Sequence, residues 1–148
     1  MTITLVHLIA TTVMTGVIWF TQIVHYTLFA RIPANVSPTH AAENQSRTSY
    51  VVGAPMLVEG LCAIALFINP PGDSSRLLPF IGGVLLAMVL LSTIAMQVPR
   101  HAELATELTQ AEIDRTVQRL VKSNWIRTIG WSARTVIAAV LVTQAAAA

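Results

Sequence analysis

Four long apolar stretches constrain this chain more than any other feature. Crossing the hydrocarbon core of a bilayer takes roughly 20 apolar residues in a helix. Stretches of that order run at about 3–29, 50–68, 77–98 and 125–144. The first and third contain no Asp, Glu, Lys or Arg. The second contains Glu59, and the fourth contains Arg127 and Arg134.

Composition points the same way. Of 148 residues, 54% are hydrophobic and only 11% are charged. A soluble domain carries roughly 25% charged residues, so there is too little charge here to coat a water-facing surface. Disorder needs low hydrophobicity and high charge, and is excluded too. The expectation is an all-α integral membrane protein, with residues 1–148 forming a single four-helix bundle. The first stretch has no basic leader and is too long for a signal-peptide core, so it reads as a retained span.

Several function classes fall away. A single cysteine, Cys62, rules out an internal disulfide, a zinc finger and a paired redox motif. Inside an apolar run it reads as a small packing residue. The net charge is only +2, and nine basic residues are spread along the chain, which is no nucleic-acid footprint.

Punctuation marks the connectors. Asn69-Pro70-Pro71-Gly72-Asp73 is a tight turn between spans two and three. Ser37-Pro38 reads as an N-cap and first helical residue, opening a short helix to about Ser49. Thr109-Gln110-Ala111-Glu112 is a capping box. The helix it opens has Ile113, Val117, Leu120 and Val121 on its apolar face. Both short helices are expected at the membrane interface. Pro55 should kink span two, and Pro99 should end or bend span three.

Basic residues set the orientation. The two longer connectors carry Arg31, Arg47, Arg100, Arg115, Arg119 and Lys122, whereas the opposite side has Arg76 alone. The positive-inside rule places the longer connectors in the cytoplasm. Both termini then lie outside, in what is expected to be the plasma membrane.

Polar residues within spans are costly, so their placement is informative. Thr15, Trp19, Gln22 and Tyr26 follow a 4-3-4 spacing on one helical face, with His25 at its edge. Asn124, Arg127, Trp131 and Arg134 follow a 3-4-3 spacing on another. Gln97 and His101 close span three. Together they outline a polar pocket towards the cytoplasmic half. Glu59 and Arg134 lie at matched depth from that side, and are expected to pair near the midplane.

Three chemistries suit such a pocket. His25, His40 and His101, with Glu43 one turn from His40, could ligate iron, copper or zinc, or two imidazoles could hold haem. Arg127 and Arg134 offer guanidinium forks to an anion or a polarised carbonyl such as a quinone. Trp19, Tyr26, Trp125 and Trp131 supply flat walls. A transport path through a homo-oligomer is the third reading. Beside these stands a structural account, in which the Glu59–Arg134 pair fixes register and Gln22, Gln97 and Asn124 join helices.

Two segments carry a family resemblance. They are Gln97-Val98-Pro99-Arg100-His101-Ala102-Glu103-Leu104 and Asn124-Trp125-Ile126-Arg127-Thr128, continuing to Trp131 and Arg134. With the four-span layout they resemble the anthrone-oxygenase-like family of small membrane proteins, over roughly the last third of the chain. The resemblance implies oxidation of polycyclic phenolic substrates with oxygen. It carries Gln97, His101, Asn124 and Arg127 over as site residues.

The resulting expectation is a membrane oxidoreductase or oxygenase acting on a lipophilic or aromatic molecule. His101, Arg127, Arg134 and Glu59 are its catalytic candidates. Trp19, Gln22, Tyr26, Gln97, Asn124 and Trp131 are its substrate-binding candidates. The competing class is a non-enzymatic membrane module, either a small-ligand, quinone or haem binder or an assembly subunit.

Overall fold

A computed structural model describes residues 1–72 and 75–148. Asp73, at the end of the expected turn, lies outside the described residues. The elements are α1 (Thr2–Phe20), a π-helical turn (Thr21–His25), α2 (Tyr26–Phe29), α3 (Ser37–Ile68), α4 (Leu77–Ser92), a second π-helical turn (Thr93–Gln97), α5 (Val98–Leu104) and α6 (Gln110–Ala147). No strand occurs among the described residues. The elements join into four rods, Thr2–Phe29, Ser37–Ile68, Leu77–Leu104 and Gln110–Ala147. Each is long and apolar enough to cross a membrane.

The distribution of side chains is that of a bundle in lipid. Ile9, Phe20, Leu57, Leu61, Ile64, Leu91, Ile94 and Ile129 face outward, while Thr4, His7, Thr11, Glu59, Asn124, Thr128 and Arg134 are buried. Water would not tolerate that much exposed apolar surface. Hydrocarbon tolerates it, and drives the polar groups inward to find partners. Helix α1 packs along α3 and α6, and α4 packs along α6, whereas α3 and α4 approach each other less closely.

The connector helices differ from expectation. The residues from Pro38 to Ser49 are no separate interfacial helix but the first turns of α3, which runs unbroken for 32 residues. At 1.5 Å per residue that is roughly 48 Å, longer than the ~30 Å hydrocarbon core. Pro55 lies within α3 without ending it, and Ser37 is the first helical residue, after Val36 as cap. Likewise the capping-box helix is continuous with span four over the 38 residues of α6. No Gly-Pro punctuation separates either pair, so helix propagation runs through.

The capping box itself forms as expected. The Thr109 amide and hydroxyl donate to the Glu112 carboxylate at 2.8 and 2.7 Å. Ile113, Val117 and Leu120 are buried against Tyr26, Phe29, Ala41 and Leu104, with Val121 packed beside them. This cluster fastens the extension of α6 to α2 and to the start of α3. A second cluster of Met14, Ile18, Val89 and Trp131 joins α1, α4 and α6. There Gly130 permits the close approach, since a methyl group in its place would press on the Val89 side chain.

Span three neither stops at Pro99 nor breaks there. The π-helical turn Thr93–Gln97 comes directly before it, and Pro99 falls in the first turn of α5. Proline has no N–H to give and crowds the preceding turn. A widened turn ahead of it relieves both demands, and the rod continues.

Candidate functional site

The two π-helical turns are the local features from which the site is built. Each inserts one extra residue into a helical turn, which rotates the face presented by everything after it. The first turn buries Gln22 and leads into buried Tyr26. The second buries Gln97, and His101 follows one turn later.

Two hydrogen-bond chains start from these glutamines. In the first, Asn124 Nδ2 donates to Gln22 Oε1 at 2.8 Å, and Gln22 Nε2 donates to the Val121 carbonyl at 3.3 Å. Asn124 Oδ1 then accepts from an Arg127 guanidinium nitrogen at 3.2 Å. The chain therefore holds Arg127 from behind. In the second, Gln97 Nε2 donates to Ser123 Oγ at 2.9 Å, and the Tyr26 hydroxyl donates to Gln97 Oε1 at 3.0 Å. The same Tyr26 oxygen lies 3.2 Å from His101 Nε2. This chain holds His101.

Arg127 and His101 meet at one cavity of about 440 Å³, the size range of small-molecule sites. It lies between α1 and α3, with the second π-helical turn, α5 and α6 reaching its polar end. Met14, Val17, Ile18 and Phe20 of α1 and Val51 and Val52 of α3 give it apolar walls. His25, Tyr26, Gln97, His101 and Arg127 give it polar ones, and the exposed residues Gln45, Arg47, Thr48 and Ser49 of α3 form a hydrophilic lip. Three buried polar atoms on its lining residues have no hydrogen-bond partner among the described residues: His25 Nε2, His101 Nδ1 and Arg127 Nε. Such an orphan costs about 1–3 kcal/mol when buried; His7 Nδ1, Glu59 Oε2 and Arg134 Nε share that state away from the cavity, whereas these three lie where a bound molecule could meet them.

Glu59 and Arg134 form a separate centre. The Glu59 carboxylate is ion-paired to the Arg134 guanidinium, and the two side chains are 0% and 1% exposed. His7 Nε2 lies 3.3 Å from the same carboxylate oxygen. Arg134 also donates to the Gly82 carbonyl, and its guanidinium carbon lies 5.8 Å from the centre of the Trp131 ring. All four rods contribute. Neither Glu59 nor Arg134 lines the cavity.

His7 was not among the candidate residues. Its distance along span one from His25 separated it from the other histidines. The usable signal was depth, since His7 sits more than one turn inside the same end of the bundle from which Glu59 and Gly82 are reached.

The other candidates divide. Gln22 and Asn124 support Arg127 rather than lining the cavity. Trp131 is buried in the apolar cluster with Met14, Ile18 and Val89. Trp19 is 39% exposed, donates to Ser132 Oγ at 3.0 Å and stands edge-on to Trp125 at 5.8 Å. It belongs to an outer seam between α1 and α6, not to the cavity. The reason is angular: four residues beyond Thr15, it lies about 40° round from the shared face. Thr15 itself bonds the Trp131 carbonyl at 3.0 Å.

The histidines do not gather as a ligand set. His25 packs on Tyr26 and Phe29, with ring centres 5.6 and 5.9 Å apart. His40 is exposed and packs on the same Phe29 at 5.2 Å. Among the described residues, no three His, Cys, Asp or Glu side chains come together in a way that could hold a metal ion. An iron or copper site built on His25, His40 and His101 is not presented.

No family model, curated protein or solved structure matches this chain.

Proposed function

We propose that this chain is a multi-pass membrane oxidoreductase or oxygenase whose cavity takes a lipophilic aromatic molecule bearing a hydroxyl or polarised oxygen. The observation that carries this reading is the cavity itself. Its apolar walls meet unpartnered His101 Nδ1 and Arg127 Nε at one polar end. An apolar ring would lie between α1 and α3, and its oxygen would complete those two atoms.

The roles follow from the chemistry. Arg127, steadied by Asn124 and Gln22, holds the substrate oxygen and stabilises the negative charge that grows on it. His101 takes the proton from that oxygen, a phenolate being far easier to oxidise than the phenol. Glu59 and Arg134 serve the bundle rather than the reaction. Dioxygen is the oxidant, as the family resemblance of the Gln97–Leu104 and Asn124–Thr128 segments implies. The six basic residues of the longer connectors support a cytoplasmic position for the polar end of the cavity and outside termini in the plasma membrane.

The test is binding and turnover of 1-naphthol by protein in detergent micelles, with naphthalene as the control. The expected result is saturable quenching of tryptophan fluorescence by naphthol, weakened at least tenfold in Arg127→Ala, together with naphthol-dependent oxygen uptake. Equal binding of naphthalene, or naphthol binding untouched by Arg127→Ala, would remove the reading. Binding without oxygen uptake would leave the competing class, a membrane module that holds such a molecule without transforming it.

A further inference from the structure

The second hydrogen-bond chain has a direction, and that direction reaches the imidazole. Ser123 Oγ donates to the Arg119 carbonyl at 2.8 Å and accepts from an Arg100 guanidinium nitrogen. Its one proton is therefore engaged, and towards Gln97 it can only accept. Gln97 must turn its amide nitrogen to Ser123, at 2.9 Å, and its carbonyl oxygen to Tyr26. An amide oxygen only accepts, so the single Tyr26 proton goes to Gln97. The Tyr26 oxygen, which also accepts from the Arg127 guanidinium, is then an acceptor towards His101 Nε2, 3.2 Å away.

A neutral imidazole carries one N–H. With that proton drawn to Nε2, Nδ1 is left as a bare lone pair, and Nδ1 is the buried His101 atom that has no partner. We propose that Gln97 is a positioning residue which, by orienting the Tyr26 hydroxyl, sets the tautomer of His101 and presents Nδ1 as a proton acceptor. Gln97 and Tyr26 thus act through His101 rather than on the ligand. The role of that acceptor in turnover rests on the functional reading above. The tautomer itself does not.

The inference makes a signed prediction. In Gln97→Leu the Tyr26 proton loses its acceptor, and His101 Nε2 becomes the nearest one. The ring proton must then move to Nδ1, inverting the tautomer. In Gln97→Glu a carboxylate oxygen still accepts from Tyr26, so the original tautomer is kept. In Tyr26→Phe the constraint is lost and the two tautomers mix. A role confined to packing would move none of these in that pattern.

The experiment is long-range proton–nitrogen correlation NMR on the full chain, labelled with nitrogen-15 at its four histidines and held in micelles. His101→Gln identifies the His101 signals. The expected result is an Nε2–H ring in the wild type and in Gln97→Glu, an Nδ1–H ring in Gln97→Leu and a mixture in Tyr26→Phe. The wild-type spectrum alone can overturn the proposal, by showing Nδ1–H or a mixture, and it requires no variant to fold. A folded Gln97→Leu that keeps Nε2–H would overturn it equally. Naphthol titration of the same samples reads the cavity separately. Loss of binding with the tautomer pattern intact counts against the functional reading and leaves this one standing.

Discussion

The bundle holds two polar centres, and they differ in charge balance and in what lies beside them. Around Glu59, carboxylate, guanidinium, imidazole and a helix carbonyl close upon each other from all four rods. Around the cavity, two chains of amides and hydroxyls stop short and leave His101 Nδ1 and Arg127 Nε without partners. The same low-dielectric surroundings penalise any unmet polar group. Unpartnered atoms occur in both centres, since Glu59 Oε2, His7 Nδ1 and Arg134 Nε also lack a hydrogen-bond partner among the described residues. What sets them apart is that the first is closed around an ion pair, whereas the second opens on a cavity of about 440 Å³ that a molecule could enter. The contrast separates residues that sequence spacing had grouped together. Arg127 and Arg134 lie on one helical face, yet one is held by Asn124 at the cavity and the other by Glu59 in the core.

The comparison breaks most readily at Glu59. In Glu59→Leu the buried Arg134 loses its counter-ion. Removing one partner of a buried pair costs about 3–5 kcal/mol, because the remaining charge is stranded. Reversible unfolding in mixed detergent micelles should show a loss of that order. Replacing both partners, as in Glu59→Leu with Arg134→Met, should recover most of it. A Glu59→Leu protein of normal stability would mean that the centre is not what holds the rods together.

Arg127→Ala should give the opposite signature. Its guanidinium is held by neutral partners, Asn124 at 3.2 Å and the Tyr26 hydroxyl, with no counter-ion. Stability should fall by about 2 kcal/mol, since relief of the guanidinium's burial offsets part of the hydrogen bonding it loses and no counter-ion is stranded. Affinity for a hydroxylated aromatic should fall about 10- to 100-fold, the worth of a hydrogen bond to a charged group. If unfolding shifted as much as in Glu59→Leu and binding did not change, the two centres would be of one kind.

His7 sharpens the first centre. It adds one contact of 3.3 Å to a carboxylate already paired with Arg134. His7→Leu should cost about 0.5–1.5 kcal/mol by the same unfolding measurement, well below Glu59→Leu. It should leave naphthol affinity unchanged, because His7 does not line the cavity. A change in affinity would tie the two centres together.

Much of this was legible in the residues, and what was not has a physical reason. Length and apolar content gave the four rods, and Thr109 and Glu112 gave the start of α6. Matched depth gave the partnership of Glu59 with Arg134, since two charges of opposite sign at one level have strong cause to meet. The π-helical turns were not legible. They add a residue to the period on which face assignments rest, so Gln22 and Gln97 were identified as polar positions but not as anchors of two chains. Their cause is tertiary: buried amides at these points reach partners on α6, Gln22 at Asn124 and Gln97 at Ser123. The unbroken α3 was missed because Ser49 and Tyr50 mark a change of environment, which was read as a change of element.

The smallest expected effect marks the edge of the second centre. Trp19 was grouped with the cavity by its spacing, but its ring stands against Trp125 at 5.8 Å, on the outer seam of α1 and α6. Trp19→Phe keeps an aromatic ring there and removes only the bond from Nε1 to Ser132 Oγ. That bond is worth about 0.5–1.5 kcal/mol, and less at a site that is already 39% exposed. Affinity for 1-naphthol should stay within about twofold of wild type, which is under 0.5 kcal/mol. Ile18→Ala, one residue earlier and on the cavity wall, should weaken it several-fold by removing apolar surface from the ring's path. Should Trp19→Phe prove the more damaging of the two, the ligand would lie along the α1–α6 seam rather than between α1 and α3. The three unpartnered atoms would then need another explanation.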